Sequence, residues 1–303
     1  MLKLFKAIWS RSTKAGSMIL ADHEERPTSR ARQRVEPLRQ IFRRLTGHAL
    51  LIEDTVNAGF CDFVDDKAIR SALLAPIPSK FTSVRQALDA FDVIMSAAMR
   101  FVNTAKQMNR YSVDIGLHQG ALLAKYASWY SAFEAMLSSN GSRPWGKATL
   151  ERTLGLLVRY KTTYISLSTC NQPSETKYDA YANEFQEILD LIGQILLSRS
   201  THSPFVASGS DIELATLGCH GVGFIPMALH FAMFASDLII TPALFMTATK
   251  CRQPGLRVQA LNMMRMLRGN ERTSILAQRC GIAERLIELE ERGWKPDLIG
   301  VIS

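Results

Sequence analysis

Apolar residues recur every three or four positions along most of this chain, the spacing that lines one face of an α-helix. "YDAYANEFQEILDLIGQILL" sets Tyr178, Tyr181, Phe185, Ile188, Leu189, Ile192, Ile195 and Leu196 on one broad stripe. Pro173, Ser174 and Glu175 just before it are helix-start signals. "KATLERTLGLLVRYKTTYISL" repeats the pattern with Leu150, Leu154, Leu157, Val158 and Tyr164. "SVRQALDAFDVIMSAAMRFV" does so with Val84, Leu88, Phe91, Ile94, Met95 and Met99. "SILAQRCGIAERLIELEERG" predicts a terminal helix stopped by Gly293. Loops are predicted over 75–83, 138–146, 168–176 and 198–211, where Pro, Gly, Ser and Asn gather. Few stretches alternate with period two, and no fixed-length repeat is present. The pattern predicts an all-α fold, a single large helical domain of about nine or ten helices.

Composition agrees with a folded chain. The 303 residues are 47% hydrophobic and 21% charged, enough to bury a substantial core. The formal charge is +8. Much of the excess lies between Arg26 and Arg44, where seven arginines stand against one acid, Glu36. Val35, Leu38, Ile41, Phe42 and Leu45 fall on one side of this stretch, so it reads first as the solvated face of a helix. A nuclear-import or polyanion-binding strip is the other reading. The basic start, "MLKLFKAIWSRSTKAG", lacks the apolar centre of a secretory signal and reads as an amphipathic helix. Domain organisation is read as 1–34, an N-terminal helix and basic linker, followed by the helical domain over 35–303. From Leu214 to Ser236 there are 23 residues without a Lys, Arg, Asp or Glu, long enough to span a membrane. Gly218, Gly221, Gly223 and Pro226 break it, so a buried, interrupted helix is expected and no membrane span.

Candidate chemistry is sparse. The five cysteines at 61, 170, 219, 251 and 280 are too far apart for local zinc-ligand pairs or a disulfide framework. They suit a reducing, intracellular setting, nucleus or cytoplasm. No phosphate loop, His-Glu-x-x-His or serine-elbow motif occurs, and neither a metal nor a cofactor is expected. The weak catalytic candidates are His220, His230 and Asp237, an imidazole and carboxylate set inside an apolar region. Trp129, Tyr130, Phe133 and Tyr164 are candidates to line a ligand pocket, with plain core as the alternative. Cys251 stands without a nearby histidine or cysteine partner and reads as a packed residue where one helix ends and the next begins at Pro254.

Four segments together point to a family. "ITPALFMTATKCRQPGLRVQALNMM" resembles the carboxy-terminal part of fungal-specific transcription-factor regulatory domains, through Pro242, Lys250, Cys251, Arg252, Pro254, Arg257, Ala260 and Met263–Met264. The helix pair with Tyr178, Asp179 and Phe185 is similar to another part of that family. So is "PSKFTSVRQALDAFDVIM", with its Pro-x-x-Phe-x-Ser connector, and so is the "IELEE" of Ile287–Glu291. Three features depart from the pattern. The zinc binuclear cluster that reads DNA in that family has no counterpart here. "RGNERTS" at 268–274 replaces a family turn. Gln253 stands where the family has an aspartate, and losing a good helix cap costs ~1 kcal/mol.

The resemblance implies a regulator-like protein of fungal secondary metabolism without its own DNA-binding part, acting by ligand or partner binding. Expected partners are a hydrophobic small molecule, a second copy in a homodimer, or a full-length regulator, with no direct sequence-specific DNA contact. The alternative is a stand-alone cofactor-independent enzyme on the same scaffold. It would catalyse a cyclisation or isomerisation by holding a reactive conformer in an apolar pocket.

Overall fold

A computed structural model describes residues 66–108, 113–139, 145–172, 174–200, 239–268 and 275–292. All belong to one compact unit spanning residues 43–303. The described residues are all-α, without a strand. The helices are α1 (Asp66–Leu74), α2 (Val84–Met108), α3 (Val113–Ser139), α4 (Lys147–Thr169), a 3-10 helix (Glu175–Tyr181), α5 (Ala182–Ser200), α6 (239–250), α7 (Pro254–Arg268) and α8 (Ile275–Glu291). His220, His230, Asp237, the arginine strip, the 214–236 stretch, the boundary at residue 34, Cys61, Cys219 and Gly293 lie outside the described residues.

Local chemistry explains several boundaries. Pro78, Phe81 and Ser83 form the connector into α2, and each of the last two has a clear task. Phe81 is fully buried against the Trp129 ring, 6.0 Å between centroids. Ser83 caps α2, its Oγ accepting from the Gln86 amide at 3.2 Å. The Gln86 side chain reaches back and accepts from the Thr82 amide at 2.8 Å, a variant of the reciprocal capping box. Pro254 opens α7, where its missing N–H costs nothing. At the other end of α4, Gln119 of α3 donates to the terminal carbonyls of Leu167 and Ser168, at 2.7 and 3.2 Å. Those carbonyls have no partner within their own helix.

Two apolar clusters share α4 as a common wall. Leu156 and Leu167 join the first, with residues of α1, α2 and α3 around Phe91, Tyr126 and Trp129. Leu154, Val158 and Ile165 join the second, with α5, α6, α7 and α8 around Phe185, Leu244 and Met264. The sequence stripe marked one apolar face of α4. In the structure Leu150 is exposed, while Leu156, Ile165 and Leu167 are buried. A helix buried on both sides has no single apolar stripe to read.

The same double burial explains the polar residues of α4. Thr153, Thr162, Thr163 and Thr169 are all buried, and each hydroxyl donates to the carbonyl four residues earlier, at 2.7–2.9 Å. A buried hydroxyl is tolerated because it has this local partner. Arg159 projects from α4 into the first cluster and meets Asp92 of α2 at 2.5 Å, both side chains about 5% exposed. Its guanidinium also lies over the Phe91 ring, 5.5 Å from the centroid.

The helix predicted from Tyr178 onward begins differently. Residues 175–181 form a 3-10 helix before α5 starts at Ala182. Ser174 caps it, accepting from the Thr176 amide at 3.2 Å. This piece winds more tightly, at three residues per turn, and Tyr178 is its buried residue.

Candidate functional site

The C-terminal half of α4, the 3-10 helix and α6 enclose a cleft of about 90 Å3. Its floor is made by Thr162, Ser166 and Thr169, which fall on one face of α4 by helical spacing. Each of these hydroxyls donates its proton to a carbonyl of α4. Thr162 and Thr169 are buried, and Ser166 is the partly exposed one of the three. Pro242, Phe245 and Met246 of α6 form an apolar wall, and Met246 touches the floor, its Sδ 3.5 Å from Ser166 Oγ.

The rim is cationic. Lys177 and Lys250 both lie against Tyr178, their Nζ atoms 5.2 and 5.7 Å from its ring centroid. Lys177 also donates to the Gln172 carbonyl. Lys250 pairs with Glu175, donating to its two oxygens at 3.1 and 3.3 Å. Lys177 and Lys250 are the charged residues that line the cleft, and Lys250 is already paired with Glu175.

Tyr178 also separates this cleft from a second, more open depression of about 330 Å3 lined by Asp179, Ala182, Cys251, Arg252 and Gln253. Here Arg252 faces Asp179 at 3.6 Å with both groups half exposed. Cys251 is buried, and burial pushes its thiol up, against the smaller opposing effects of the Gln253 amide and Arg257. A thiol held protonated is a poor nucleophile. Behind this corner Arg257 donates from Nε to the Ala248 carbonyl at the end of α6, 2.9 Å away, and pairs with Glu290 of α8.

The segments quoted separately for the family resemblance therefore meet in space. Tyr178 and Asp179 lie against Lys250, Cys251 and Arg252, and Arg257 is tied to the Ile287–Glu291 stretch through Glu290. Phe81 and Ser83 serve the other cluster.

The four aromatic candidates do not line this cleft. Trp129 and Phe133 are fully buried and stacked, centroids 4.9 Å apart, with the Trp129 indole donating to the Ala87 carbonyl at 2.9 Å. Both are core residues. Tyr130 and Tyr164 are half-buried and each stacks with Tyr160, at 4.9 and 6.0 Å. Burial pushes the Tyr160 hydroxyl well above the ordinary phenol range and raises that of Tyr130. The sequence reading missed Thr162, Ser166, Thr169 and Lys177. Hydroxyls at 162, 166 and 169, repeating at helical spacing inside an apolar helix, were the signal available. No grouping of His, Cys, Asp and Glu among the described residues could hold a metal ion. No described helix is long and apolar enough to cross a membrane. Comparisons with protein-family models, curated proteins and solved structures find no match.

Proposed function

We propose that this chain is a transcription-factor-like regulatory protein that acts by binding a ligand or a partner. The observation that carries the reading is the corner at Tyr178. Residues that resemble the fungal regulatory domain, from two segments about seventy positions apart, close there around two concavities. Ligands take concave sites of this kind, with apolar walls and a few convergent polar groups. The groups that line it suit recognition: ammonium donors, a partly exposed serine hydroxyl and an aromatic face. A ligand seated between α4, the 3-10 helix and α6 would touch three elements at once and bias their packing.

Deleting the gene and measuring transcripts and metabolites together tests this. The expected outcome is loss of transcripts from a set of natural-product genes. Unchanged transcripts with one uncyclised intermediate accumulating would overturn it in favour of the cyclase or isomerase reading.

A further inference from the structure

We propose that a row of partly exposed tyrosines crossing α3, α4 and the 3-10 helix is a docking surface for an extended, proline-rich peptide that carries arginine. This goes beyond the reading above and does not depend on a ligand at the Tyr178 corner. Four of the chain's seven tyrosines form the row. Tyr130 of α3 stacks with Tyr160 of α4, centroids 4.9 Å apart, and Tyr160 with Tyr164 at 6.0 Å. Tyr164 then meets Tyr181 of the 3-10 helix edge-on at 6.3 Å. All four are half-buried. The row is anchored in the core, because Tyr160 also stacks with the fully buried Trp129 at 5.5 Å.

Three of the hydroxyls are open. Those of Tyr160, Tyr164 and Tyr181 make no hydrogen bond among the described residues, and none is a buried oxygen left without a partner. Each therefore meets water and can donate outward. Burial of its ring keeps the Tyr160 hydroxyl protonated far above neutral pH, so it stays a donor. An apolar body with a polar tip is the side-chain type that interfaces favour, since it buries area and still forms a directed bond.

The partner's chemistry follows from spacing and charge. A polyproline II segment has no internal hydrogen bonds, so its carbonyls are available to accept from tyrosine hydroxyls. It rises about 3.1 Å per residue, so alternate residues stand about 6.2 Å apart. The steps between the three rings with open hydroxyls are 6.0 and 6.3 Å. Charge selects the flanking residue. Glu134, one turn beyond Tyr130 on α3, is exposed and accepts from the Tyr130 hydroxyl. It has no cationic partner among the described residues. Glu187 of α5 also acts on Tyr130, but it is paired with Lys161, so Glu134 is the acid left for a partner. A guanidinium suits it, being planar, always charged and able both to pair with a carboxylate and to pack on an aromatic ring.

The test titrates the full chain into a fluorescein-labelled synthetic oligoproline with an arginine at each end, read by fluorescence anisotropy. Saturable binding is expected. The same peptide with glutamate for arginine, and a glycine–serine peptide that keeps the arginines, should each bind at least about tenfold more weakly. Tyr164→Phe keeps the ring and drops the hydroxyl, and should weaken binding by about threefold to tenfold. Glu134→Gln should weaken the arginine peptide by about tenfold and leave an arginine-free oligoproline unchanged, a split that a merely structural role does not produce. Tyr181→Phe serves in place of Tyr164→Phe if the latter fails to fold by circular dichroism. Absence of binding, equal binding of the three peptides, or affinity indifferent to the hydroxyl and Glu134 variants overturns the proposal. So does self-association of the chain, seen by sedimentation and lost in Tyr164→Phe, which would give the row to a second copy. The two readings fail separately. Transcripts lost on gene deletion without any peptide binding refute this surface alone, and peptide binding with transcripts indifferent to deletion refutes the regulator alone.

Discussion

Asp92 and Arg159 meet with almost no access to water, and neither could have been recognised as half of a buried pair from its own surroundings in the sequence. Asp92 looks like one more polar break in the α2 stripe, and Arg159 like a solvated residue beside Val158. Removing one partner of such a pair leaves the other charge buried and uncompensated. Asp92→Ala is therefore expected to lower stability by about 3–5 kcal/mol, read from urea unfolding. Replacing both, as Asp92→Leu with Arg159→Met, should restore most of that loss, since apolar side chains of similar volume leave no charge to desolvate.

Tyr126 makes a second residue-scale prediction. It is fully buried and donates to Thr163 Oγ1 at 3.1 Å, and burial pushes its hydroxyl far above the usual 10.0. The folded chain keeps this proton at a pH where the unfolded chain has lost it. Stability is thus whole below pH 10 and falls as pH rises beyond it, by about 1.4 kcal/mol per pH unit for this one group. Tyr130 and Tyr160 add to the loss in the same direction. Tyr126→Phe should flatten the alkaline decline in melting temperature, and an unchanged slope would count against the burial argument.

At the scale of elements, α4 is the structural centre. It contributes side chains to both apolar clusters, and its terminal carbonyls are capped from α3. An element held on both sides opens only when both clusters open. Hydrogen exchange should therefore find the amides of 154–167 among the slowest in the chain, with protection approaching the global unfolding free energy. Faster exchange there than in α7 would contradict the shared-wall architecture. The 3-10 helix behaves in the opposite way. It buries Tyr178 alone of its seven residues and depends on a short Ser174 cap and on the Lys250–Glu175 pair. It is the element of this corner on which a bound ligand has most leverage.

Across the molecule, what could be read locally was read correctly where one face of a helix meets one core. Phe91, Ile94, Met95 and Met99 are buried in α2 as their spacing predicts, and Phe185, Ile188, Leu189, Ile192 and Ile195 in α5. Ser83 and Pro254 mark helix starts for reasons contained in a few consecutive residues. Helical periodicity and end-capping are properties of neighbours along the chain, and so the all-α class, these helices and their connectors were determined by sequence alone. Partner choice is not such a property. Spacing says that α4 has an apolar side, but only packing shows that both sides are covered. That double burial in turn explains four internal threonines and an arginine that periodicity treats as surface. Glu175 and Lys250 stand 75 positions apart, and Asp92 and Arg159 stand 67. Charge pairing and cavity shape depend on distance through space, which the order of residues does not encode. The tertiary structure alone decided that Tyr178 would be buried with Lys177 and Lys250 against its ring.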